Sequence, residues 1–149
     1  MKVFLFLILM LISISNVGYA LESTLTEAQA LEFCQQWLPH WVGGEKSVEK
    51  LLSFYTDDTI YEDPNVPQGL KGKPALGEFL KVLLKKYPDW KFEIVGIFPT
   101  SKGFILQYQG TIPVEGGKVI TNFRGVDIID LEDGKIAKQQ GFYDRHVFF

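Results

Sequence analysis

The hydrophobic period of this chain turns at Pro88 from mainly helical to alternating, and that change restricts the fold to helices first and most of the sheet afterwards. Between Thr26 and Tyr87 apolar residues recur at helical spacing; from Trp90 onward they alternate with polar ones. Helices followed by a long run of antiparallel strands is the α+β pattern. No internal repeat, linker or low-complexity stretch interrupts it, so one domain is expected.

Local signals place the elements. Thr26-Glu27-Ala28-Gln29 is a capping box with Leu25 as its hydrophobic staple, opening a helix whose stripe is Ala30, Leu31, Phe33, Cys34, Trp37, Leu38 and Trp41. Pro39 predicts an end or kink near Leu38. Ser47 is placed to cap a second helix carrying Val48, Leu51, Leu52 and Tyr55. A short strand is predicted over Thr59 to Asp63, then a turn-rich loop from Pro64 to Lys73. Pro74 suits the first turn of a third helix with Leu76, Phe79, Leu80, Leu83 and Tyr87 on one face. In the β-rich half, Trp90, Phe92, Ile94 and Phe98 share one parity, as do Phe104, Leu106 and Tyr108. Gly116-Gly117 opens a long strand through Leu131, and Glu132-Asp133-Gly134 turns it into a last strand from Lys135 to about Val147.

Residues 1–20 read as a secretory leader: Met1-Lys2, an apolar run from Val3 to Ile14, and small residues at Gly18 and Ala20. The run is shorter than the ~20 residues that span a bilayer. The expected product is a secreted or periplasmic domain, 21–149, with no membrane span after cleavage. The formal net charge is −3, and losing Lys2 makes the domain more acidic, which argues against nucleic acid as a partner. Cys34 is the single cysteine, so no intrachain disulfide forms, and its apolar neighbours predict a buried thiol. With one cysteine and two distant histidines, His40 and His146, no zinc-type ligand set exists. No phosphate loop or serine-nucleophile motif is present, and no cofactor is expected.

Two acidic motifs carry the chemistry. Tyr61-Glu62-Asp63-Pro64 ends the predicted short strand, and Gly125-Val126-Asp127 puts a carboxylate on the parity of Val119, Phe123, Ile129 and Leu131. A carboxylate on an apolar face is either a folding liability or a tuned acid–base group, and two of them suggest a pocket for proton transfer. Each has a plainer reading: Asp63 before proline as a turn former, and Asp127 turned to solvent by a bulge at Gly125.

These motifs, with Phe54-Tyr55-Thr56-Asp57-Asp58 before the first, Gly72-Lys73 at the third helix and Gly141-Phe142-Tyr143-Asp144 near the end, resemble the SnoaL-like and ketosteroid isomerase-like branch of the nuclear transport factor 2-like superfamily. The resemblance covers roughly Gln36 to Phe149. It implies a cone: three helices wrapped by a curved antiparallel sheet, with an apolar cavity at the open end. It also implies roles, with Asp63 matching the general base and Asp127 the aspartate whose neutral form binds the enolate oxygen. Tyr143 matches a pocket wall, and Asp144 the late aspartate of many such sequences. The isomerases' tyrosine on the first helix is replaced near Trp37, whose indole can donate a hydrogen bond but not share a proton. In a cone, Trp37, Phe54, Tyr61, Phe79, Trp90, Phe123 and Tyr143 double as cavity lining. The expected partner is a small hydrophobic molecule. The fold also admits a non-catalytic binding module, or a homodimer through the open sheet face.

Overall fold

The computed structural model describes residues 25–114 and 117–148. The expected leader and Gly116 lie outside the described residues. Among those described, no helix is long and apolar enough to cross a membrane.

The capping box forms at the start of helix α1 (Glu27–Trp37). Thr26 Oγ1 accepts from the Gln29 N–H at 3.3 Å and the Gln29 side chain accepts from the Thr26 N–H at 2.9 Å. Pro39 acts as expected: α1 stops at Trp37 and the chain continues as a 3-10 turn, Leu38–Trp41. Helix α2 is only Val48–Leu52, preceded by a second 3-10 turn, Gly44–Ser47. Ser47 does not cap it, because its hydroxyl donates instead to the Val42 carbonyl. Tyr55 leaves the helix and starts β1 (Tyr55–Glu62), longer than the strand predicted. The cause is tertiary: Tyr55 pairs with Ile136, whose N–H donates to the Phe54 carbonyl at 2.7 Å. A two-residue strand, β2 (Leu70–Lys71), leads into α3 (Gly72–Lys86).

Four strands follow: β3 (Lys91–Pro99), β4 (Gly103–Pro113), β5 (Val119–Glu132) and β6 (Lys135–Tyr143). Asp133 and Gly134 both have positive φ, 49° and 73°, which is the two-residue hairpin turn that suits the twist of β5 and β6. The last strand is shorter than predicted and gives way to a 3-10 turn, Arg145–Phe148.

The sheet order is β2-β1-β6-β5-β4-β3. It departs from the all-antiparallel expectation at one place: β1 runs parallel to β6, so the sheet is mixed. Each of the three antiparallel pairs among β3 to β6 has a register shift, and such bulges bend strands and add twist, curving the sheet around the helices. The bulges also correct two parity expectations. One extra residue of β3 between Ile94 and Gly96 turns Phe98 outward, 53% exposed, and brings Ile97 in. One extra residue of β5 between Ile120 and Phe123 leaves Val119 52% exposed while Ile120 packs on the core. The core lies between the concave face, with Phe104, Leu106, Phe123, Ile129 and Ile136, and the helices, with Ala30, Cys34, Leu76, Leu80 and Leu84.

Candidate active site

Asp127 points into the cone. The β4–β5 register is unbroken from Asp130 to Phe123, so no bulge occurs at Gly125 and the parity of Phe123, Asp127 and Ile129 holds. Gly125 serves a different need: a Cβ there would run into the ring of Tyr108, its partner on β4. The glycine lets that phenol lie across the strand toward Asp127. Asp127 is 7% exposed, and its Oδ2 accepts from Gln139 Nε2 at 2.8 Å. Burial pushes its carboxyl up to about 7; the Gln139 hydrogen bond opposes this, the Asp63 charge adds to it, and a hydrogen bond from Tyr108 opposes it again.

Asp63 lies just past β1, 6% exposed. It is both turn former and pocket residue. Oδ1 accepts from the backbone N–H groups of Asn65 at 2.7 Å and Val66 at 3.1 Å, closing the turn before Pro67. Oδ2 accepts from the hydroxyls of Tyr61 and Tyr143, each at 2.9 Å. Asn65 Nδ2 donates in turn to Tyr143. Four protein donors therefore occupy one carboxylate.

Gly141 joins the two aspartates. It is the Cα partner of Asp127 on β6, and the parallel β1–β6 pairing of Glu62 with Gln140 brings Asp63 to its other side. A Cβ at 141 would lie 3.2 Å from Asp127 Oδ1 and 3.4 Å from Asp63 Cβ. A side chain at 141 would crowd both residues, so the glycine leaves room for two buried acids to flank this strand.

Around them is an aromatic cavity. Trp37, Trp41, Tyr61, Trp90, Phe92 and Phe123 form its walls with Leu38, Leu83 and Leu106, while Asp63, Tyr108, Asp127, Gln139, Gly141 and Tyr143 supply its polar end. The rings interlock, Phe123 against Tyr143 at 5.1 Å and Trp37 edge-on to Trp41 at 5.9 Å between centroids. The cavity volume is about 30 Å³, room for a water molecule or two. The Trp41 indole N–H has no protein acceptor. No Lys, Arg or His is on the wall, and among the described residues no group of three or more His, Cys, Asp and Glu could hold a metal.

The sequence matches the SnoaL-like domain family over residues 35–139. The chain belongs to that family. No curated protein sequence matches it closely enough to count as a relative. Solved structures similar to this SnoaL-like domain include a SnoaL-like protein of unknown function from Burkholderia thailandensis, 21% identical, covering 80% of this chain and 98% of that one, TM-score 0.66. An M. tuberculosis epoxide hydrolase of the LEH-like type is 13% identical, with 80% and 86% covered and a TM-score of 0.63. A protein of ketosteroid isomerase-like fold from Catenulispora acidiphila, solved with trimethylamine, is 12% identical, with 76% and 86% covered and a TM-score of 0.66. At these identities the likeness establishes the fold.

Of the residues singled out from the sequence of this SnoaL-like domain, Asp63, Asp127, Trp37, Tyr61, Trp90, Phe123 and Tyr143 meet at one cavity. Three stand elsewhere. Phe54 packs edge-on against Phe33 at 5.7 Å, Phe79 lies behind Tyr61 at 5.5 Å, and Asp144 is exposed and bonded to His146. Three polar or small residues of the site were not foreseen: Tyr108, Gln139 and Gly141, together with Tyr55, which donates to Gln139 at 2.6 Å from outside the cavity. Gly125 carried the one usable signal, since a glycine inside a strand marks a bulge or a close approach, and here it marks Tyr108.

Proposed function

We propose that this domain takes a small, uncharged, mostly apolar carbonyl compound into the aromatic cavity, whose rings must part to admit more than the water or two it has room for, and moves a proton on the carbon next to the carbonyl. The observation that carries this reading is Asp63 and Asp127 buried together on either side of Gly141. With its carboxyl raised to about 7, Asp127 is populated in the neutral form near neutral pH and can donate to a developing enolate oxygen, with the unpaired Trp41 N–H as a second donor. Asp63 is the proton acceptor, provided one phenol leaves Oδ2; Tyr143, half-buried at the end of β6, can turn with less disturbance than fully packed Tyr61. A polar end whose only carboxyl groups are Asp63 and Asp127, with no cation on the wall, disfavours a carboxylate- or phosphate-bearing ligand. A neighbour of the same fold solved with trimethylamine supports a small occupant. Isomerisation, aldol-type cyclisation and dehydration share this proton transfer. The leader motif supports export, and N-terminal sequencing of exported material should find Leu21 or a close neighbour.

The complete acceptor set of Asp63 favours a second reading, a binding domain in which both carboxyls are fixed polar anchors. Asp63→Asn separates the two. For an enzyme, turnover of an enone or β-dicarbonyl substrate should fall by roughly 10²–10⁴-fold with ligand affinity nearly kept. For a binder, the wild type shows no turnover and affinity survives. Unfolding of the variant would leave Asp63 a structural turn residue and sink both.

A further inference from the structure

Gln139 is 2% exposed on β6 and contacts both a phenol and an acid: Tyr55 Oη donates to its Oε1 at 2.6 Å, and its Nε2 donates to Asp127 Oδ2 at 2.8 Å. Tyr55 is fully buried. The direction of this chain follows from which groups can only donate. The Trp37 indole is a donor without acceptor capacity. It lies against the Tyr55 oxygen and favours negative charge there, although it falls short of a well-formed hydrogen bond. The Tyr55 proton is thereby directed onward to Gln139 Oε1. With its oxygen so occupied, the amide can face Asp127 only through its NH₂ group. An acid oxygen that accepts from that NH₂ cannot also present its own proton along the same line.

We propose that Gln139, oriented by Tyr55, is a positioning residue that keeps the proton of neutral Asp127 on Oδ1, the oxygen turned toward Gly141 and Asp63. Oδ1 lies 3.2 Å from the point a Cβ at 141 would occupy, and Asp63 Cβ lies 3.4 Å from the same point. The proton therefore sits on the edge of Asp127 that faces Gly141, and Tyr108, whose hydroxyl can accept as well as donate, does not exclude it from there. The titratable groups around Asp127 are Cys34 from α1, Tyr55 and Tyr61 from β1, Asp63 beyond β1, Tyr108 from β4 and Tyr143 from β6. None is a cation, so the hydrogen bonds from Gln139 and Tyr108 are the means by which the protein steadies an ionised Asp127. The proposal deepens the proton-transfer reading by giving Asp127 one fixed donor edge, but its test needs no turnover, so failure of either is seen separately.

The experiment is carboxyl-carbon NMR of the folded protein labelled at aspartate, titrated from pH 4 to 9, in the wild type, Gln139→Leu and Tyr55→Phe. Gln139→Leu should raise the Asp127 midpoint by about one pH unit, because the charged form loses its best-formed donor. Tyr55→Phe should raise it by less, because the released amide can flip. In the wild type the Gln139 side-chain amide resonances should move with the Asp127 titration, and in Tyr55→Phe this coupling should weaken. Midpoints unmoved in both variants, or a Gln139 amide indifferent to the ionisation of Asp127, would overturn the proposal. If Gln139→Leu does not fold, Tyr55→Phe and the amide resonances decide it alone.

Discussion

Tyr108 lies across Gly125, its Cα partner on the neighbouring strand, so closely that no side chain fits at position 125. The contact is what brings a phenol from β4 to Asp127 on β5. Gly125→Ala should therefore cost about 1–3 kcal/mol, the usual range for overpacking a close site. Denaturant unfolding would measure it, with near-ultraviolet dichroism reporting the displaced Tyr108. An unchanged midpoint would mean that the ring leaves at no cost and that the approach is not a constraint.

Asp127 should make stability fall with pH. Its carboxyl rises from 3.8 to about 7 on folding, so between those values the native state holds a proton that the unfolded state has lost. The contribution is fully present below pH 3.8 and is lost as pH rises through about 7. Asp127→Asn should flatten this slope and be neutral or stabilising at pH 8, since Asn can accept from Gln139 with its oxygen and place its NH₂ where the acid proton sits. Melting temperatures of both proteins from pH 4 to 8 test it; a variant several kcal/mol weaker at pH 8 would indicate a paired, ionised aspartate.

Four phenols should resist ionisation. Burial raises Tyr55, Tyr61, Tyr108 and Tyr143; the Asp127 charge raises all four further, and the Asp63 charge adds to the last three. Spectrophotometric titration of the folded protein should show these phenolates appearing only together with alkaline unfolding. A smooth rise centred near pH 10, the ordinary tyrosine value, with an amplitude larger than the two other tyrosines, Tyr19 and Tyr87, can give would show that solvent reaches the site.

Gly141→Ala tests the gap between the acids. The added methyl would sit 3.2 Å from Asp127 Oδ1 and 3.4 Å from Asp63 Cβ, closer than ordinary contact, so one or both residues must give way. A loss of roughly 1–3 kcal/mol is expected, together with a changed Asp127 titration. A variant with wild-type stability and titration would mean that the two acids do not depend on their close approach.

What could be read from the sequence was local. The Thr26 capping box, the stop at Pro39 and the Asp133-Gly134 turn each depend on a few adjacent residues and form as read; the α3 stripe forms too, with Leu84 buried in it and Tyr87 just past the helix end. The inward parity of Asp127 was legible for the same reason: alternation belongs to a single strand, and no bulge intervenes between Phe123 and Ile129. Asp63 as a turn former was also legible, because its Oδ1 bonds are to residues two and three positions on.

Tertiary structure alone decided how those pieces meet. Register belongs to a pair of strands, so nothing within β1 says that it runs parallel to β6 and sets Asp63 beside Gly141. A bulge is an extra residue on one strand relative to its neighbour, which is why Phe98 and Val119 face outward against their own alternation. Gln139 is one of two adjacent amides on β6, and it is buried because Tyr55 and Asp127, 84 and 12 residues away in the chain, arrive at its two ends. A polar group can be buried only where partners meet it, and the meeting of partners is a property of the folded sheet.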